Sequence, residues 1–275
     1  MPPSFGDKDY WDARFAKNSS QFDWLLPADA LDGPITQALA SAPSNDEPHI
    51  LHIGCGTSLL SFHLRDLVRS PSQIHNVDFS AIAIDTGKTY EATESRPERM
   101  RWTAADLLSL DDILTLRVPG AGEATGSYNI ILDKSTADAI SCAEDVPVHL
   151  PYALTTESER IQHSSSRTAP AHPLYLLTLH MAFLAPPGGR WIVLSYSNTR
   201  FSFLTSQKAE DQLISDSMID TGFINPQLLW KVVGEEALDA PQVETGDKCA
   251  VGRPLVKHTL YTLLRTDVQV TLRPC

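Results

Sequence analysis

The chain has 275 residues, 42% hydrophobic and 20% charged, with a formal net charge of -12, the profile of an ordinary globular protein long enough to bury a full core. That acidic balance argues against the basic footprint of nonspecific nucleic-acid binding; it suits solubility, a basic protein partner or a cationic substrate. No run approaches the roughly eighteen apolar residues of a membrane-spanning helix and the polar residues 1–8 lack the apolar stretch of a signal peptide, so neither a membrane nor a nucleic-acid partner is expected.

In chain order, residues 1–27 set aromatics among charges: Tyr10, Trp11, Arg14, Phe15, Phe22 and Trp24. The pattern predicts a short amphipathic helix carrying Tyr10, Trp11 and Phe15, followed by an aromatic turn. A helix over 31–40 and a breaker-rich loop over 42–48 come next. The first strand is predicted at 49–53, and it runs into Gly54-Cys55-Gly56-Thr57-Ser58 and then an amphipathic stretch to about Val68. This is the profile of a buried strand turning sharply into a helix, with two glycines that permit unusual φ values and close ligand approach. A second strand over 74–77 is closed by Asp78, about twenty positions beyond the glycine turn, where nucleotide-binding βαβ units hold a ribose diol. Ser80 is a plausible N-cap for a helix to about Ala92. A third strand over 100–104 ends near Asp106, a helix covers 107–116, and 119–127 is a glycine-containing turn.

The fourth strand, 128–133, again ends in a carboxylate, Asp133. Residues 141–173 read as irregular, an insert or lid, with Pro147, Pro151, Pro170 and the polar run from His163 to Ser166. His149, His163, His172 and His180 lie in or beside it without metal-ligand spacing, so no metal site is expected. A helix over 174–184, a strand over 190–196, a helix over 207–221 and strands over 227–233 and 258–264 complete the chain, with 235–253 as a hairpin loop. The alternation predicts one α/β domain, 1–275, with a Rossmann-like, mostly parallel sheet of seven strands covered by helices on both faces. The last two strands have no helix between them, so one is predicted antiparallel. The four cysteines, Cys55, Cys142, Cys249 and Cys275, are scattered, which argues against zinc and disulfides and fits a cytoplasmic setting. Cys55 reads as a small packed residue rather than a nucleophile.

The third glycine of a dinucleotide fingerprint is missing, because Leu59 stands three positions beyond Gly56, and no Gly-Lys-Ser/Thr phosphate loop is present. Asp106 suits a hydrogen bond to an exocyclic adenine amine, and Asp133 would face a transferred group. Three strand-end carboxylates without a phosphate cradle point to a nucleoside that carries positive charge; S-adenosylmethionine, a sulfonium, is that kind of molecule.

The segments Tyr10-Trp11-Asp12-Ala13-Arg14-Phe15, Phe22-Asp23-Trp24, Ile53-Gly54-Cys55-Gly56-Thr57-Ser58, Val77-Asp78-Phe79-Ser80 and Leu132-Asp133-Lys134-Ser135-Thr136-Ala137-Asp138-Ala139 together resemble class I S-adenosylmethionine-dependent methyltransferases. The resemblance is greatest to the group that includes lysine methyltransferases of translation elongation factor 1A, and it covers roughly 8–142 and the strand around Trp191. It implies that Gly54, Gly56 and Thr57 lie under the methionyl part of the cofactor, that Asp78 holds the ribose with Phe79 near the adenine, and that Asp106 and Leu107 contact the adenine. Arg14 would pair with the cofactor carboxylate, Trp11 and Trp24 would close the site, and Asp133 and Lys134 would lie beside the methyl group. Tyr196 is a candidate lining residue and 1–47 an aromatic cap, with 141–173 on the acceptor side. The bland alternatives are a strand-end cap for Asp78, a helix cap for Asp133, a surface ion pair for Arg14 and core packing for Trp11 and Trp24. Ser135 departs from the group's usual glycine, and His52 stands in the first strand where an apolar residue is usual and is not expected to touch the cofactor. A protein lysine is the first acceptor expected; a small molecule is the second, and a non-catalytic cofactor-binding scaffold the third reading.

Overall fold

The apolar segment Ile50–Ile53 is buried throughout and forms β1, the hub of the sheet. The structure, a computed structural model, describes residues 3–18, 20–42, 47–117, 128–156, 167–205, 216–241 and 256–273. In chain order these form α1 (Lys8–Lys17), α2 (Asp32–Ser41), β1 (Ile50–Ile53), α3 (Leu60–His63), β2 (Ile74–Asp78), α4 (Ala81–Ala92), β3 (Arg101–Ala104), α5 (Leu110–Thr115), β4 (Ile130–Lys134) and α6 (Thr136–Ile140). Then come β5 (Val146–Leu150), β6 (Leu154–Thr156), β7 (Arg167–Ala171), α7 (Pro173–Leu184), β8 (Arg190–Ser195), α8 (Ser202–Thr205), α9 (Asp216–Ile219), β9 (Trp230–Asp239), β10 (Lys257–Arg265) and β11 (Val270–Leu272).

Seven strands pair in the order β3-β2-β1-β4-β8-β10-β9. The pairs among β3, β2, β1, β4 and β8 are parallel, and β10 runs antiparallel to both β8 and β9; β10 is thus the one of the last two strands that the sequence expects to be reversed. From β1 the chain winds outward through β2 to β3, then returns to β4 on the other side of β1. The carboxyl ends of β1 and β4 therefore flank the point where the winding reverses, the usual place for a ligand crevice in open α/β sheets.

The two sheet faces carry separate cores. On one, Ile50, Leu132, Ile192 and Leu194 pack with Leu31, Ile35, Leu60 and Leu64. On the other, Leu51, Ile53, Ile131 and Val193 pack with α7. All twelve residues of α7 are buried, a helix apolar on every side because it is covered on every side. Described parts of the segment expected to be irregular, 141–156 and 167–172, pack against it. β5 pairs with β7 and β6 with β11, all antiparallel, and Val148, Leu150, Tyr152 and Leu154 join the core that holds α7. Pro147 and Pro170 sit in β5 and β7, a short two-stranded pair where proline is tolerated, and Pro151 lies just beyond β5. His180 in α7 is a satisfied core histidine, with Nδ1 against the Leu107 carbonyl at 2.7 Å and Nε2 against the Tyr152 hydroxyl at 2.8 Å.

Two further elements differ from the sequence expectation. β9 runs on through Glu235 and Glu236 to Asp239, because an edge strand can keep charges on its open side. The helix expected over 58–68 is only a single α-turn, Leu60–His63, followed by a 3-10 turn, Leu64–Asp66. Of the helix expected over 207–221, α9 is described, while 206–215 lie outside the described residues, as do 118–127, 157–166 (with His163), 242–255, Cys249 and Cys275.

Candidate active site

A cavity of about 520 Å³ opens at the carboxyl ends of β1 and β4. Its floor is the glycine turn. Gly54 and Gly56 have φ of 54° and 48°, the left-handed region that favours glycine. A Cβ on Gly54 would lie 2.1 Å from Oγ1 of Thr136, and one on Gly56 would lie 3.3 Å from Cζ of Phe15. At Gly54, then, glycine is demanded first by close packing of the turn against the start of α6. Thr136 Oγ1 donates to the Ile53 carbonyl at 3.0 Å and fixes that contact.

Asp78 at the end of β2 reaches under the turn. Its Oδ2 accepts from the Gly56 amide and its Oδ1 from the Ser80 amide, both at 2.9 Å. Burial pushes its pKa up to about 6, against the pull of those two amides. Ser80 also caps α4 through the Ala83 amide and donates to Asp12 of α1, so one short segment joins the carboxylate, the helix and the N-terminal cap.

At the β3 end, Asp106 opens a turn in which its Oδ1 accepts from Leu108 and its own amide donates to Asp112. The Leu107 carbonyl is taken by His180. Its amide makes no hydrogen bond among the described residues, although its side chain is buried. Phe79, Asp106, Leu107 and Leu108 share this wall of the cavity.

The roof is aromatic. Trp11 stacks on Phe15 with centroids 5.8 Å apart and meets Trp24 edge-on at 6.0 Å. The Arg14 guanidinium lies 5.0 Å from the Phe22 ring centroid and 5.3 Å from that of Trp24. Among the described residues it has no ion pair. The segment after α1 is stitched to the turn, with the Phe22 amide donating to the Thr57 carbonyl and Thr57 Oγ1 donating to the Ser20 carbonyl. Thr57 lines the cavity with its hydroxyl already occupied by the protein.

Lys134 projects from β4 and is buried, where its ammonium pairs with Asp23 and donates to the Leu26 carbonyl at 3.2 Å. Burial lowers its pKa, opposed by Asp23. Asp23 also accepts from Ser58, so it ties cap, turn and β4 together. Aspartate at that position sits in the aromatic motif read from the sequence, but its partner eluded sequence reading because the two are 111 residues apart.

Thus Trp11, Arg14, Trp24, Gly54, Gly56, Thr57, Asp78, Phe79, Asp106, Leu107 and Lys134 all line one cavity. Asp133 does not. It is fully buried and its carboxylate accepts from the Thr136 and Ala137 amides, so it caps the helix that follows. Burial, with Asp138 nearby, pushes its pKa up to about 7. Tyr196 is also outside the cavity lining: it is 58% exposed, its ring faces Arg200 and its amide donates to Asp138. His52, expected to stay clear, is in the cavity wall; its Nδ1 meets Ser61 Oγ at 3.0 Å and burial lowers its pKa to about 4. Phe5, Lys8 and Phe15 also line the cavity. Phe15 was legible as an aromatic of the first helix; nothing in the pattern singled out Phe5 or Lys8. Cys55 is buried and its thiol pKa is raised by burial, the state of a packed residue.

No family model matches the chain. Among solved structures, a methyltransferase of Anabaena variabilis that depends on S-adenosylmethionine superposes with a TM-score of 0.51 at 11% identity, covering 99% of this chain and 96% of that one. The fold is that of a class I S-adenosylmethionine-dependent methyltransferase. Sequence relatives of this methyltransferase fold include methyltransferase srdJ of Neurospora crassa, 34% identical over 143 residues, which are 52% of this chain and 57% of that protein. Another is EEF1A lysine methyltransferase 4 of Mus musculus, 24% identical over 209 residues, 73% of this chain and 68% of that protein. The chain therefore spans little more than half the length of the first relative and about two thirds of the second.

Proposed function

We propose that the chain is an S-adenosylmethionine-dependent methyltransferase whose cofactor lies in the cavity between the glycine turn and the aromatic cap. The observation that carries this reading is Asp78, a buried carboxylate anchored by the turn's own amide at the sheet's switch point. Its oxygens would accept from the ribose hydroxyls. Arg14, held on ring faces without a carboxylate partner among the described residues, would take the carboxylate of the methionyl part. The free amide of Leu107 and the Asp106 carboxylate would meet the adenine edge, with Phe79 beside the ring. Trp11 and Trp24 would close over the ligand and exclude water.

When bound, the cofactor supplies a sulfonium-activated methyl group for direct displacement. The chain's own residues need only align the acceptor and keep the site dry. Asp133 serves as a positioning residue that holds the α6 amides, and Lys134 with Asp23 clamps the cap to β4. Exposed Tyr196 is offered to a macromolecular acceptor. We take that acceptor to be a protein lysine, by likeness to the Mus musculus relative whose name gives that substrate and because the chain is acidic at a net charge of -12. Of the 1–47 cap expected from the sequence, lining residues between Phe5 and Trp24 act as the cap in this reading, while Leu31 and Ile35 pack on the sheet. Of the described residues in 141–173, Ala143 joins the lining and Val148, Leu150, Tyr152 and Leu154 pack in the core with α7. Cys55 and Cys142 are free thiols, in keeping with a reducing, cytoplasmic setting.

Labelled methyl transfer into a cell proteome, run beside transfer into a small-molecule extract, tests the acceptor. Label on protein lysine is the expected outcome. Label only in the small-molecule fraction would move the acceptor to a metabolite. Label in neither, with cofactor binding intact, would leave a non-catalytic scaffold.

A further inference from the structure

We propose that the Ser135 hydroxyl accepts a hydrogen bond from the α-ammonium of the bound aminoacyl nucleoside and so selects for the amino-acid half of the cofactor. This rests on the reading of the cavity as the S-adenosylmethionine site. Ser135 follows Lys134 at the mouth of β4 and lines the cavity. Its backbone sits at φ 72° and ψ 6°, a left-handed conformation that glycine adopts freely and serine does not. Its amide is used, donating to the Leu194 carbonyl at 3.0 Å. Its hydroxyl is buried and has no hydrogen-bond partner among the described residues. A strained backbone carrying an unpaired buried hydroxyl is a double cost, and such outliers gather where a ligand is held. In this assignment that hydroxyl points into the cavity when the ligand is bound.

The neighbouring charges say which ligand group it meets. Thr136, the next residue, packs on Gly54, so Ser135 stands beside the part of the turn assigned to the methionyl chain. That chain carries a carboxylate, matched by Arg14, and an ammonium, which needs an acceptor. Asp78, whose oxygens also accept two backbone amides, is taken by the ribose hydroxyls in this reading, and Asp133 is turned to the α6 amides. Asp106 and Asp112 lie at the β3 end, each bonded to a backbone amide there. Lys134 presents no opposing charge because Asp23 neutralises it. Among the described residues, the buried side-chain acceptor that lines this cavity without a hydrogen-bond partner is the Ser135 hydroxyl.

Calorimetric titration of the parent, Ser135→Ala and Ser135→Gly with three probes tests the assignment. The probes are S-adenosylhomocysteine, its analogue lacking the α-amine, and 5′-methylthioadenosine. Both variants should bind S-adenosylhomocysteine about tenfold more weakly or worse, the loss of one hydrogen bond to a charged group. Both should hold the two amine-free probes within about twofold of the parent. Ser135→Gly should melt no lower than the parent, since glycine takes this backbone without strain. Unchanged binding of S-adenosylhomocysteine, or an equal loss for all three probes, would overturn the assignment. A parent that binds none of the three would instead overturn the cofactor reading on which it rests.

Discussion

Gly54 and Gly87 are glycines because of what touches them. At Gly54 a methyl group would collide with Thr136, and φ is 54°; Gly54→Ala should cost about 2–4 kcal/mol in urea unfolding. Gly87 lies inside α4, where helix propensity alone favours alanine by about 1 kcal/mol. A Cβ there would lie 2.4 Å from the Trp102 ring, and that ring is fixed by its Nε1 donating to Glu91. The clash outweighs propensity, so Gly87→Ala should destabilise by about 1–3 kcal/mol. Stabilisation would mean that Trp102 moves freely. Asp133 gives a pH-dependent test. Its pKa rises from an ordinary 3.8 to about 7 in the fold, so the folded state holds a proton that the unfolded chain releases. Its contribution is fully present below about pH 4 and is lost as pH rises through 7. Asp133→Asn keeps an acceptor for the α6 amides and removes the titration. The variant should therefore gain on the parent between pH 4 and 7, by about 1–3 kcal/mol at neutral pH. A constant difference across that range would contradict the buried, protonated carboxyl.

At the scale of elements, α1 behaves as a cover. It touches α4 through Asp12 and Ser80, and it meets the glycine turn through Phe15; Phe15 alone in it is buried. Trypsin cleavage after Arg14 and Lys17 should slow about tenfold or more with saturating S-adenosylhomocysteine, as a local opening is suppressed by ligand. Equal cleavage with and without ligand would mean that the cap does not close on it. The cap's membership was legible because Trp11, Arg14 and Trp24 stand in a recognisable motif. Its fastening was not: Asp23–Lys134 and Thr57–Ser20 join residues far apart in sequence, and no local pattern encodes them. β5, β6 and β7 were illegible for a related reason. They are held by pairing with each other, with β11 and by burial against α7, while their own prolines and short length read as loop.

For the whole molecule, the parallel strands were legible because buried strands are apolar runs bounded by turn residues, and a reversal at one of the last two strands followed from the absence of a helix between them. The switch point and the strand-end positions of Asp78 and Asp106 came with that order. What strand order cannot encode is which strand-end carboxylate faces the cavity: Asp78 does, whereas Asp133 turns to the helix that follows it. No helix among the described residues is long and apolar enough to cross a membrane, and none of their His, Cys, Asp and Glu side chains group as a metal site. The central claim is that this cavity holds an S-adenosyl nucleoside through Asp78. Calorimetry of the parent and Asp78→Ala with S-adenosylhomocysteine tests it directly. The account predicts saturable one-to-one binding by the parent at micromolar concentrations and a loss of about tenfold or more in the variant. No heat with the parent at high micromolar ligand, or equal affinity in the two proteins, would contradict it.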